Sequence, residues 1–423
     1  MPDDLKVEEL VEKVSRVRSF AALHDSGYRA YFATFFLAMM ADNIEHVISY
    51  WVAFQKFHSP ALGGLAVVSH WLPFLLLSIP VGALAERLDP RRLIQAGMCL
   101  FMIVSLTWGY LIVTDALQMW HAMVLLVLHG CAAVLFVTSG QVLLHSVVTQ
   151  ELLPSAVRLS ATARYLAMLA GPAVGGALML AFGPWRGMIV NAAIYLPLLV
   201  WLLRAPFRPQ FDLAEATPRR PIRRAADLMQ GARAIARDKS LLTMTGLAGA
   251  ASFFVGNSYQ AQMPALADDL EHGNGDATYS LLLAADAAGA LFAGIVLESR
   301  GLLTPSTTSA IAFGLLWCAS LTAFALTKSY PVALVLLFMM GACELLFSSM
   351  AQAVVQLNAP ATSRGRVIGA FNMVSLGLRA FSGVTVGLAG SVVGVRGSLA
   401  SSALCASAIL VVLLVRQRRR VKD

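Results

Sequence analysis

Twelve apolar stretches recur along this chain, many of them near the ~20 residues a helix needs to cross the hydrocarbon core of a bilayer. They cover residues 29–54, 61–85, 93–114, 119–148, 159–182, 186–204, 241–265, 277–297, 305–327, 331–357, 367–391 and 397–416. In lipid each segment must pair its own backbone polar groups, which a helix does and an isolated strand does not. Only 13% of the residues are charged and 58% are hydrophobic, roughly half the charge of a soluble domain. The expected class is an all-α integral membrane protein with twelve transmembrane helices.

Charge placement orients the spans. With the N-terminus taken as cytoplasmic, 26 of the 32 Lys and Arg residues fall on the cytoplasmic side and four fall outside. The remaining two, Arg164 and Arg379, lie in the interior of spans. Such an asymmetry is a positive-inside signal, so the net charge of +8 needs no nucleic-acid partner. Residues 266–276 form an acidic outer loop with Asp268, Asp269, Glu271 and Asp276. The five cysteines all sit inside apolar spans without paired spacing and read as packing residues. Residues 1–28 are charged and lack the apolar core of a cleavable signal peptide. Within them Val7, Leu10, Val11, Val14 and Val17 fall at helical spacing. Residues 225–238 behave similarly, and each stretch reads either as an interfacial helix or as a solvated segment.

The connectors are short except for residues 205–240, rich in Pro and Arg. The expected organisation is therefore a cytoplasmic tail (1–28), a six-helix bundle (29–204), a cytoplasmic linker (205–240), a second bundle (241–416) and a basic tail (417–423). The halves resemble each other: "GCAAVLF" at 130–136 matches "GACELLF" at 341–347, and "GALAER" at 82–87 matches "GIVLESR" at 294–300. "AVRLSA" at 156–161 and "RGRVIGA" at 364–370 form a third pair in the same order. A duplicated six-helix unit encloses a site at its interface, and rocking one half against the other alternates access to it.

Three motifs now point to a family. "GALAERLDPRR" (82–92) resembles the signature Gly-x-Leu-Ala-Asp-Arg-x-Gly-Arg-Arg of the major facilitator superfamily, with Glu86 for Asp and Asp89 for Gly. "ARYLAMLAGPAVGG" (163–176) resembles the superfamily's antiporter-associated signature, with Ala167 where Gly is expected. "SRGRVIGAFN" (363–372) is similar to a loop of the enterobactin-exporter-like and macrolide-efflux-like branch. The resemblance implies two pseudo-symmetric six-helix bundles. It implies a cytoplasmic gate of Gly82, Glu86, Arg87, Arg91, Arg92 and Arg366, in which Glu86 latches the outward-facing state. It also implies a packing signature of Gly171, Pro172, Gly175 and Gly176 that closes one end of a cavity.

The first span carries polar residues at its centre, Asp42, Asn43, Glu45 and His46. Asp42, Glu45 and His46 stand at i, i+3 and i+4 and share one helix face. A lipid-facing charge there is costly and a watery cavity removes most of the cost, which makes the trio candidate carriers of a coupling proton. The alternative is a hydrogen-bonded cluster tying the span to its neighbours. A single helix face rarely completes a coordination shell, so no metal is expected. Glu344, whose repeat partner is Ala133, and Asp286 are further proton candidates. Asn43, Gln141, His145, Arg164, Asn257, Gln260, Asn372 and Arg379 are candidate cavity residues. Trp51, Trp71, Phe136, Phe253, Phe254 and Phe347 offer aromatic walls.

No Gly-x4-Gly-Lys-Ser/Thr loop, His-x4-Asp pair or Gly-x-Ser-x-Gly motif occurs, so neither ATP drive within the chain nor an enzyme is expected. The expected function is proton-coupled export of a small amphipathic organic molecule, a drug or siderophore, by a monomer in the inner membrane. Its partners are substrate, protons and lipid, without a cofactor. The alternative is an importer or uniporter of a metabolite or lysolipid.

Overall fold

A computed structural model describes residues 20–57, 60–204, 224–256, 275–300 and 305–422, with isolated positions at 259, 263, 266 and 270. The amphipathic pattern at Val7–Val17, most of the linker, Asn257, Gln260 and the acidic Asp268, Asp269 and Glu271 lie outside the described residues. The described residues form helices almost throughout. We number them α1 (Ser26–Phe57), α2 (Pro60–Ala85), α3 (Pro90–Val113), α4 (Met119–Val147), α5 (Leu153–Ile194), α6 (Leu196–Arg204) and α7 (Arg224–Arg237). The second half continues with α8 (Lys239–Phe254), α9 (Gly275–Arg300), α10 (Thr307–Leu326), α11 (Tyr330–Asn358), α12 (Arg364–Asn372) and α13 (Arg379–Lys422).

Two of these helices contain a turn. Gly183 in α5 (φ 76°) and Gly394 in α13 (φ 78°) adopt left-handed backbone, which glycine enters without a Cβ penalty, and each divides its helix into two spans. The two glycines lie 211 residues apart, the same offset as the "GCAAVLF" and "GACELLF" segments. The repeat is thus present in backbone geometry as well as in sequence. Each half has its own large apolar core, and α2, α4 and α5 of one half correspond to α9, α11 and the run of α12 into α13 of the other.

Among the described residues eight stretches are long and apolar enough to cross a membrane; α1, which carries Asp42 and Glu45, is not among them. Large apolar side chains such as Leu76, Ile103, Leu180 and Val335 are exposed around the bundle, where a soluble protein would bury them. Exposure of this kind is what a multi-pass membrane protein requires of its outer surface.

Glycines let helices approach within each half. A Cβ on Gly130 would stand 2.6 Å from the Ser69 carbonyl oxygen, and one on Gly341, its repeat partner, 1.9 Å from that of Asp286. Helix starts are capped by the residues expected there. Asp89 accepts from the Arg91 amide at 3.0 Å, Asp238 from Ser240 and Leu241, and Ser306 from Ser309. Asp89 has a φ of −58°, so the turn before α3 needs no glycine and Asp serves there as cap.

Candidate functional site

The two halves meet first at the end of the bundle where α2 finishes and α12 begins, here termed the latch end. A Cβ on Gly82 would lie 2.0 Å from the Gly365 carbonyl oxygen, and one on Gly365 lies 2.1 Å from that of Gly82. The two backbones touch because neither residue has a side chain. Beside them Glu86 accepts the Arg366 amide at 2.7 Å, within the first turn of α12, and pairs with the Arg366 Nε at 2.8 Å. The helix N-terminus and the guanidinium both favour this carboxylate. The amphipathic α7 packs over the pair, with Gly231 against the Arg366 backbone and Gln230 accepting from its guanidinium.

A second pair mirrors the first. Arg158 Nε lies 2.8 Å from Glu298 Oε2, both residues are buried, and Ser155 donates to Glu298 Oε1. Glu298 follows Glu86 by 212 residues and Arg366 follows Arg158 by 208. Each half therefore lends one carboxylate and one arginine to its partner. Of the expected gate residues, Arg91 instead pairs with Asp89 at 2.5 Å, Arg92 is exposed and Arg87 is half-buried. The second latch was written in the repeat, since both "AVRLSA" and "GIVLESR" contain its residues.

In the middle of the first half, α1 presents Asp42, Glu45 and His46 to α2 and α4, as their shared face requires. His129 of α4 lies between the two carboxylates: its Nδ1 is 2.8 Å from Glu45 Oε1 and its Nε2 is 2.7 Å from Asp42 Oδ1. Both contacts are made in full when both ring nitrogens carry hydrogen. Ser105 donates to Glu45 Oε2, and Asn191 donates to the Ser105 hydroxyl at 3.1 Å. His46 Nδ1 donates to the Asp42 carbonyl at 2.8 Å, and its Nε2 lies 3.2 Å from His70 Nδ1. Asp42, Glu45 and His129 are buried, while His46 and His70 are half-buried. His129 was absent from the sequence candidates; its only sequence signal is an ionisable residue inside an apolar span.

The second half has its own carboxylate pair. The Tyr259 hydroxyl is 3.1 Å from Asp286 Oδ2 and 3.1 Å from Glu344 Oε2. A phenol has one proton to donate, so three groups in this arrangement are best satisfied when one carboxyl carries a proton of its own. Neither acidic pair follows the repeat. At an offset of 211, Asp42 and Glu45 correspond to Phe253 and Gly256, and Glu344 to Ala133.

Between the halves lies a narrow cavity of about 60 Å³. Gln141 and Arg164 reach it from the first half, and Glu344, Asn372 and Arg379 from the second, together with Trp317, Phe347 and Phe371. Arg164 Nε has no hydrogen-bond acceptor among the described residues. Arg379 Cζ stands 5.1 Å from the centre of the Trp71 ring, a cation–π contact between halves. Asn372 reaches Thr138 at 3.3 Å, also between halves. A five-residue π-helical segment, Met373–Gly377, separates α12 from α13 and lines the same cavity.

Other candidates sit elsewhere. Asn43 lies in the seam with α5, its amide donating to Met39 O at 2.8 Å and its Cβ 2.4 Å from where a Gly171 Cβ would be. Gly171 and Gly175 do provide a close helix contact, but it joins α5 to α1 within the first half rather than across the two. Gly176 has open space, and Pro172 is exposed. His145 is near Arg364 toward the latch end. Of the expected aromatic walls Phe347 lines the cavity, Phe136 is buried in the first core and Trp51 is exposed.

Two related six-helix halves around a central cavity with a few charged and amide groups define a membrane transporter. A family described as "Transmembrane secretion effector" matches residues 17–423, and the chain belongs to this family of the major facilitator superfamily. It is 26% identical over 194 residues to the uncharacterized MFS-type transporter YfiS of Bacillus subtilis (strain 168). That match covers 45% of this chain and 44% of the relative, less than half of the relative's own length. Among solved structures, the E. coli fucose:proton symporter FucP is similar at a TM-score of 0.70 and 14% identity, covering 92% of this chain and 98% of FucP. The human organic anion transporter MFSD10 is similar at 0.66 and 13%, covering 91% and 99%. Both likenesses are of fold. The family is one of transporters and not of enzymes.

Proposed function

We propose that this chain exports a small amphipathic organic molecule from the cytoplasm in exchange for protons, by alternating access, with both termini cytoplasmic in the plasma (inner) membrane. The carrying observation is the pair of acidic clusters, one in each half. In both, a carboxylate pair shares a partner whose hydrogen bonds close only when an extra proton is present. Glu344 faces the cavity directly beside Arg379, so protonation and substrate occupancy are felt at one place. Aromatic walls with a few charged and amide groups suit an amphipathic ligand, for which the cavity must widen from its present narrow form. The direction rests on the family's description as secretion effectors and on the resemblance to the siderophore and macrolide efflux branch. The domain division at residues 205–240 and a monomeric unit belong to the same reading.

The test uses the full chain in proteoliposomes with a pH-sensitive dye inside. The substrate is to be picked from a panel of dyes, macrolides and siderophores by the sensitivity of a deletion strain. Substrate-dependent proton movement should disappear in Asp42→Asn and in Glu344→Gln while both variants remain monodisperse. Proton movement unchanged in both would remove these carboxylates from coupling. Counterflow in vesicles of known orientation separates export from import.

A further inference from the structure

We propose that His46, His70 and His129, with Asp42, form a binding site for a divalent transition-metal ion of the zinc class. The ligand atoms of the three imidazoles lie within 4.8 Å of one another and come from α1, α2 and α4. Asp42 and His46 are four residues apart on one helix face, the spacing at which two side chains chelate one ion. The objection that a single helix face supplies too few ligands therefore does not hold once α2 and α4 are in place.

The orientations fit. His46 Nδ1 must carry its hydrogen, because it donates to the Asp42 carbonyl oxygen. Neutral His46 thus turns the lone pair of Nε2 toward His70 Nδ1, 3.2 Å away. Two nitrogens bound to one tetrahedral ion at ~2.0–2.1 Å stand about 3.3 Å apart. His129 Nε2 lies 2.7 Å from Asp42 Oδ1, so these atoms can turn jointly onto an ion. Its other nitrogen is held by Glu45 Oε1 at 2.8 Å, and Glu45 is held in turn by Ser105. A carboxylate behind a ligating imidazole fixes the ring and raises its basicity. Three imidazoles and one carboxylate suit zinc, cobalt or nickel rather than magnesium or calcium.

Charge points the same way. With neutral imidazoles the cluster carries the two negative charges of Asp42 and Glu45. One imidazolium leaves one of them uncompensated, whereas a divalent ion cancels both in a place where net charge is costly. Half-buried His46 and His70 give the ion an approach path. The ion and a coupling proton would compete for Asp42, so the test below reads metal binding alone and its outcome does not depend on transport.

The test is metal binding by the full chain purified in detergent, stripped with a chelator and titrated with Zn²⁺ against a chromophoric indicator. The expected result is one high-affinity zinc per chain. Co²⁺ in its place should give the intense visible bands of a tetrahedral site. His46→Ala/His70→Ala should lose that binding, and Glu45→Gln should weaken it by about 10–100-fold. His121→Ala, in the first turn of α4 and outside the cluster, should bind as wild type. No stoichiometric zinc on the wild-type protein would overturn the site, and so would equal affinity in the double variant. If the double variant does not fold, the wild-type cobalt spectrum decides alone: weak octahedral bands overturn the proposal.

Discussion

Asp42 and Glu45 are tolerable at mid-membrane because His129 gives each a partner. Breaking a buried ionic group by removing one member costs about 3–5 kcal/mol, whereas neutralising all of its members costs little. His129→Leu should therefore sharply lower the melting temperature in detergent, read by fluorescence-detected size exclusion. The triple variant Asp42→Asn/Glu45→Gln/His129→Gln should regain most of that stability and still fail to transport. A His129→Leu protein as stable as wild type would show that the pairing is not what holds these carboxylates. At the latch end, burial outweighs the neighbouring Arg366 and holds the Glu86 carboxyl above the usual glutamate range. The raised value belongs to the closed form, and on opening the hydrated carboxyl returns toward its ordinary value. The closed form thus binds more protons in that window. The proton-linked part of its stabilisation is present below the ordinary value and is lost as pH rises through the raised one, leaving the contribution of the Glu86–Arg366 pair itself. Spin labels at the exposed Leu88 and Thr362 should report a larger closed fraction on acidification toward about pH 4.5, and Glu86→Gln should flatten the response.

At the scale of elements, the π-helical segment Met373–Gly377 links the latch to the cavity. It sets the rotation of α13 relative to α12, and with it the placement of Arg379 over Trp71. Its Ser375 carbonyl, turned out of regular pairing, accepts from Ser252. Deleting Leu376 should restore α-helical pairing, turn everything beyond it by about 100° and withdraw Arg379 from the cavity. Transport should fall below detection while membrane expression survives; retained transport would show that the segment is dispensable. Such a segment has no sequence signature, and nothing in "FNMVSLGLR" separates it from an ordinary helix. The helices themselves were legible, because spans of apolar residues have few other options in lipid. So was the shared face of Asp42, Glu45 and His46; Glu86 was legible as a latch carboxylate, with Arg87, Arg91 and Arg366 all open as its partner. The partner His129 was not, since helix periodicity places residues on a face without saying which neighbour that face meets. The Gly171 seam was legible as close packing, but its partner helix was not, for the same reason.

At the scale of the whole molecule, the two halves are joined by reciprocal ion pairs, Glu86 to Arg366 and Arg158 to Glu298. The Gly82–Gly365 contact and the two pairs all lie at one end of the bundle, so in this conformation that end is shut. If each half rocks as a packed unit, both pairs must separate together for access to alternate. The pairs should then act as two clasps on one equilibrium. Arg158→Glu leaves two carboxylates facing each other where a pair stood. It should shift the Leu88–Thr362 label distance toward the open form, although those labels sit beside the other clasp. A coupling of 1–3 kcal/mol corresponds to about a 5–150-fold change in the closed-to-open ratio. Arg158→Glu/Glu298→Arg restores attraction with the signs exchanged and should return most of the closed population. Adding Glu86→Ala to Arg158→Glu should open the end further than either change alone. A label distance that ignores Arg158→Glu, or a charge exchange that rescues nothing, would mean that the clasps are local packing and that the halves do not move as units.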